Sequence, residues 1–182
     1  MRKHTIVALV QDRPGVLSRV AGLVRRRGYN IESLAVGHSE QPSISRMTIV
    51  VESDQIEQVV KQLYRLIEVI KVSDVTDDPT VEREMVVLKL HIAPPARHEI
   101  VSLCEVFEAK IVDVGANTMI LEMTGSPSKV ENFIEVLRPY GIKEMMRTGR
   151  IAMVRGARGH NAEQYVESNG ATVPTVPTVP TV

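Results

Sequence analysis

The chain has 182 residues, room for one or two domains, with 22 basic and 22 acidic side chains and a formal net charge of zero. That balance gives no support for a nucleic-acid partner, and four Tyr, two Phe and no Trp are too few for a base-stacking platform. A single cysteine, Cys104, excludes an internal disulfide framework, no apolar run reaches the roughly 18 residues that span a bilayer, and Met1 to Thr5 runs straight into a strand without a signal-peptide core, so a soluble, cytoplasmic protein is expected.

Thr5 to Val10 is short, apolar and rich in β-branched residues, as a buried strand is. Gly15 to Arg27 has helical spacing, with Val16, Leu17, Val20, Ala21, Leu23 and Val24 on one side and arginines at the C-terminal end, where cations are favoured. Gly28 stops this helix and Asn30 to Val36 forms a strand. After a turn over His38 to Ser43, Ser45 to Glu52 alternates Met47, Ile49 and Val51 against Arg46, Thr48 and Val50, which predicts a strand covered mainly on one face. Asp54 to Ile67 predicts a second helix, capped by Ser53 or Asp54 and buried through Ile56, Val59, Val60, Leu63, Leu66 and Ile67; Val69 to Val75 is the closing strand. The order β-α-β-β-α-β is the split βαβ of ferredoxin-like sandwiches.

Thr76 to Thr80 reads as a linker, after which the order recurs. Arg83 to Ile92 is a strand, Pro94-Pro95 a break, and Arg97 to Glu108 a helix burying Ile100, Leu103, Cys104 and Phe107. Lys110 to Val114 and Thr118 to Thr124 make a hairpin, Ser128 to Leu137 a helix burying Val130, Phe133, Ile134 and Leu137, and Ile142 to Arg147 the last strand, followed by an apolar extension, Ile151 to Val154. The fold class is therefore α+β: two tandem ferredoxin-like βαββαβ modules with antiparallel sheets, over 1–77 and 82–156. A polar tail over 157–182 ends in Thr-Val-Pro repeats and is expected to be extended or disordered. Modules of about 75 residues bury a modest fraction of their surface and leave open sheet edges, which favours a homo-oligomer.

The candidate binding feature is the loop Asp12-Arg13-Pro14-Gly15; the second module has Ala93-Pro94-Pro95-Ala96 in its place. Proline is tolerated in a first helical turn, and Gly15, without a side chain, lets a small ligand approach the backbone. Free N–H groups and the positive end of the helix dipole meet there, which suits a carboxylate. Asp12 is a side-chain acceptor or a helix cap, and Asn30 a turn residue or a ligand contact. The histidines (His4, His38, His91, His98, His160) are scattered without neighbours at metal-ligand spacing, so neither a metal site nor a catalytic group is expected. Acylphosphatases use one Arg and one Asn on this topology to hold phosphate, but Asp12 beside the loop would repel it.

Asp12-Arg13-Pro14-Gly15-Val16-Leu17-Ser18-Arg19-Val20, Arg27-Gly28-Tyr29-Asn30-Ile31-Glu32-Ser33-Leu34, Ser45-Arg46-Met47-Thr48-Ile49 and Val81-Glu82-Arg83-Glu84 carry a resemblance to the regulatory small subunits of acetolactate synthase, also called acetohydroxyacid synthase, over roughly residues 4 to 155. The resemblance implies an N-terminal ACT domain, a second ferredoxin-like domain and a homodimer through the ACT domains. It implies that valine or another branched-chain amino acid binds between ACT domains of neighbouring subunits. The small subunit would activate a large catalytic subunit and confer feedback inhibition, in branched-chain amino acid biosynthesis. Thiamine diphosphate, magnesium and FAD would belong to that partner and no cofactor to this chain. The effector-binding residues it implies are Asp12, Pro14, Gly15, Val16, Leu17, Asn30 and Ile31. Many relatives have Asn at the first of these positions; Asp12 keeps an acceptor and lacks the amide donor. The rival reading is an ACT-type amino-acid sensor that controls a different enzyme.

Overall fold

Residues 2–156 are described in the computed structural model; the tail expected over 157–182 lies outside the described residues. The first sheet is built from β1 (Arg2–Gln11), β2 (Ile31–His38), β3 (Ile44–Ser53) and β4 (Val69–Asp74), with α1 (Val16–Arg26) and α2 (Ile56–Leu63) as its crossovers. Its strand order is β2-β3-β1-β4, every neighbouring pair antiparallel. Side chains alternate along a strand, so Ile6, Ala8 and Val10 join Met47, Ile49 and Val51 on one face, where Val16, Val20, Leu23 and Val24 of α1 and Val59 and Leu63 of α2 cover them.

The second sheet repeats the plan with β5 (Thr80–His91), α3 (Arg97–Phe107), β6 (Lys110–Val114), β7 (Thr118–Gly125), α4 (Pro127–Leu137) and β8 (Ile142–Arg147), in the order β6-β7-β5-β8. Its core centres on Phe133, Leu88, Leu121 and Ile100. Ser126 caps α4 by accepting from the Lys129 amide (3.3 Å), with Pro127 at the first helical position, where a missing N–H costs nothing. Both modules thus have the expected β-α-β-β-α-β order.

Several local expectations fail for identifiable reasons. β3 is covered on both faces: Thr48 and Val50 are buried along with Met47, Ile49 and Val51. The cover is β9 (Ile151–Val154), which pairs with Thr80–Arg83 at the start of β5. That ribbon lies behind the first sheet, where Ala152 and Val154 pack on Val7 and Val75. Thr80, expected in a linker, is already paired with Val154. α2 is shorter than the apolar spacing predicts. It starts from Gln55, without a side-chain cap, because Ser53 Oγ accepts from the Gln55 amide (2.9 Å). It ends in tighter three-residue hydrogen bonds, Arg65 N to Gln62 O and Leu66 N to Leu63 O (both 3.1 Å), which turn Ile67 outward to 89% exposure. Leu103 and Phe107 are partly rather than fully buried, the Phe107 ring lying 5.2 Å from that of Phe133.

Candidate functional site

The loop after β1 is fastened at its base and open at its tip. The Asp12 amide donates to the Ser43 carbonyl (2.8 Å), Arg13 N to Gln11 O (3.0 Å) and Val16 N to Arg13 O (3.3 Å). Gly15 then precedes α1 with φ +86°, a left-handed conformation that glycine adopts without a Cβ penalty, and a Cβ built there would meet nothing within 4 Å. The first four-residue helical bond of α1 is Arg19 N to Gly15 O (3.0 Å). The amides of Leu17 and Ser18 come before it and have no intrahelical acceptor, so they point out of the helix start beside the open loop.

Asp12 does not cap α1, whose start carries no side-chain cap. Its carboxylate lies instead 3.4 Å from His38 Nδ1 at the end of β2, both side chains in contact with solvent. Val16 is buried in the core, so it offers the loop only backbone. Leu17, expected on the buried side, is 45% exposed and stands at the helix start as an apolar surface. Beneath the loop, Arg19 pairs with the buried Glu68 carboxylate (2.7 Å), and the Glu68 carbonyl accepts from the Gln11 amide (2.8 Å). Ser43, His38 and Glu68 have no sequence signal as partners of Asp12, Arg19 and Gln11; strand pairing alone brings them there.

Strand register separates the expected residues into two groups. Val10 pairs with Ser45 and Ser45 with His38, which puts the end of β2 level with the loop. At the other end Ile31 pairs with Val51 and Val51 with His4. Asn30 and Ile31 therefore lie a full helix length from Gly15, about 16 Å for the 11 residues of α1 at 1.5 Å each. Asp12, Pro14, Gly15, Val16 and Leu17 are brought together within one chain; Asn30 and Ile31 are not. The latter border an open groove of about 430 Å³ with Ala21, Arg25, Gly28 and Tyr29, and Gly28, at φ +74°, makes the turn between helix and strand.

A second concavity, about 480 Å³, opens behind the first sheet between Ala35, Gly37, Arg46 and Thr48 on one side and Val81, Arg83 and β9 on the other. Arg46 donates to the Ala152 carbonyl there (3.4 Å), and burial lowers its pKa. Among the described residues no three His, Cys, Asp or Glu side chains gather as a metal site, and no helix is long and apolar enough to cross a membrane.

The family described as the small subunit of acetolactate synthase matches residues 83–156, and the acetohydroxyacid synthase small-subunit-like ACT domain matches residues 6–71. A protein of Archaeoglobus fulgidus named a probable acetolactate synthase small subunit is 57% identical over 156 residues, covering 85% of this chain and 98% of that one. The acetolactate synthase small subunit of Bacillus subtilis is 44% identical over 159 residues, covering 86% and 92%. The crystal structure of the acetolactate synthase small subunit from Thermotoga maritima superposes with a TM-score of 0.79 at 43% identity, covering 86% of this chain and 99% of that one.

Proposed function

The chain belongs to the acetolactate synthase small-subunit family, and from that premise we propose that it is a non-catalytic subunit that activates a catalytic acetolactate synthase subunit and makes it sensitive to valine or a related branched-chain amino acid. Thiamine diphosphate, magnesium and FAD then reside in the partner, and the complex works in the cytoplasm.

The observation that carries this reading is the division of the expected effector residues between the two ends of an edge strand. Among the described residues β2 has β3 on one side and no strand on the other. An unpaired edge is a template for a second chain. If two copies join β2 antiparallel about a two-fold axis near Leu34 and Ala35, the start of one strand lies beside the end of the other. Asn30 of the partner subunit then comes next to the Asp12–Leu17 loop, and each dimer has two complete sites.

A free amino acid has two charged ends and one side chain to read. Its carboxylate meets the amides of Leu17 and Ser18 at the positive end of α1. Its ammonium meets the Asp12 carboxylate, and its side chain lies against Leu17. One methylene in such a pocket is worth only about 1–3 kcal/mol, so valine, leucine and isoleucine differ modestly. Feedback needs a coupling of about 1–3 kcal/mol between effector binding and the active state of the partner.

Acetolactate formation by the catalytic subunit, with and without this chain and across a valine titration, tests the proposal. Stimulation that valine reverses is the expected result. Absence of stimulation, with valine binding still measurable by calorimetry, would assign the sensor to another enzyme.

A further inference from the structure

The turn between β8 and β9 grips β2 from behind. Gly149 has φ +84°, and a Cβ built on it would stand 2.7 Å from the Leu34 carbonyl oxygen and 3.2 Å from Ser33 Oγ, so glycine alone fits. The next residue, Arg150, donates its backbone N–H to Ser33 Oγ (2.7 Å). Its guanidinium runs behind the first sheet, where Nη1 meets Thr5 Oγ1 (3.5 Å) and Glu82 Oε2 (3.4 Å). Arg150 Nε is buried without an acceptor and stops 3.8 Å from Glu84 Oε1, just outside hydrogen-bonding distance. Glu84 is itself buried and ion-paired to Arg147, which also binds Glu131 of α4 (2.9 Å).

These contacts form one continuous path. It starts at Ser33 and Leu34, just after Asn30 and Ile31 on β2, passes through Gly149 and Arg150, and reaches α4 of the second module through Glu84 and Arg147. Apolar residues of similar volume would hold two modules together at least as well as this partly buried charge cluster, in which Glu84 alone is fully buried. What charges add is sensitivity to register: a movement of β2 by a few tenths of an ångström makes or loses the Arg150–Glu84 bond, which now sits at the edge of formation.

We infer that Arg150 is the coupling residue that carries effector occupancy from β2 to the second module. The inference rests on the function proposed above and adds to it the route of regulation. Effector at the start of β2 draws Ser33 and Leu34 with it, the 148–150 turn follows, and the Glu84–Arg147–Glu131 cluster resets against α4. Arg150 touches no effector in this scheme, so binding and response become separable.

The test uses the full chain with its catalytic subunit and valine as the probe. Arg150→Met keeps an unbranched stem as far as the position of Nε and removes the guanidinium with its charge; Ser33→Ala removes the acceptor of the Arg150 amide. Both variants are expected to bind valine within threefold of the parent and to stimulate the partner as the parent does, while the valine-induced fall in rate shrinks at least threefold. Arg150→Lys is expected to restore part of it. In the chain alone, valine should slow deuterium exchange over both 31–38 and 142–154 in the parent, and only over 31–38 in Arg150→Met. An Arg150→Met variant inhibited as strongly as its parent overturns the inference, as does one that loses valine binding and stimulation together. A parent complex that valine leaves uninhibited overturns the proposed function itself, so the two failures are distinct.

Discussion

Gly15 and Asn30 stand at opposite ends of α1, on opposite ends of the same sheet, although both belong to the expected effector site. One chain therefore holds the two unlike parts of the expected site far apart: a loop with free amides at one end of β2, and an amide side chain at the other. The separation follows from the right-handed βαβ crossover, in which β1 and β2 run parallel and the connecting helix must travel back along their whole length. Pairing of two β2 edges brings unlike ends together. Effector binding and dimerisation are on this reading one equilibrium.

Gly15→Asp tests the loop. The space beside Gly15 is open, so the substitution meets no clash, but a non-glycine residue at φ +86° costs about 1–2 kcal/mol and sets a carboxylate where the effector's own is proposed to bind. The variant is expected to keep its circular dichroism spectrum and its stimulation of the catalytic subunit while valine affinity falls at least tenfold. Loss of stimulation together with binding would make the loop structural.

Val36→Glu tests the edge. Val36 is an exposed apolar residue on β2, the edge strand of the first sheet among the described residues, near the proposed two-fold axis. Two like charges brought close across a sheet destabilise the pairing, so the dimer dissociation constant is expected to rise at least tenfold, or about 1.4 kcal/mol. Sedimentation should show the shift, and valine affinity should fall in step. A variant that stays dimeric at the parent's concentration range would place the interface elsewhere.

The element order, the helix that follows Gly15 and the core positions of α4 were legible because each depends on residues within one or two helical turns. What the chain's local pattern does not contain is the back of the first sheet. Val50 and Thr48 read as a half-covered strand because their cover, β9, lies about 100 residues on and is brought there only by pairing with Thr80–Arg83. Ser33 and Arg150 have no signal of any kind toward each other. Ile67 continues the apolar spacing of α2, yet the tight turns at Arg65 and Leu66 end the helix first and leave it in solvent. Of the candidate site, the turn that opens α1 could be read from Pro14 and Gly15, whereas the joining of that loop with Asn30 is a proposal that needs a second chain.

Phe133→Ala tests the second core. Phe133 is fully buried and its ring lies 5.2 Å from that of Phe107. Truncating a buried Phe costs about 3–5 kcal/mol through lost transfer energy and the cavity left behind. Chemical denaturation should show the loss in the second module, with effector binding by the first module retained under native conditions. A change below about 1 kcal/mol would mean that this core is not packed as described.

Cys104 gives the pH prediction. It is buried on the inner face of α3, and burial raises its thiol pKa because a thiolate is poorly solvated there. The folded protein thus favours the neutral thiol, while the unfolded chain ionises near the ordinary value of about 8.5. Below that pH both states hold the proton and the contribution to stability is fully present; above it the unfolded state loses its proton first, and stability falls with rising pH. Native protein at pH 8 is expected to react with a disulfide reagent at least a hundredfold more slowly than unfolded protein, which should titrate one thiol per chain. Cys104→Ala should remove the alkaline decline that belongs to this group while costing some packing energy. Rapid labelling of the native chain at pH 8 would contradict the burial, and with it the assignment of Cys104 to the core rather than to any reactive role.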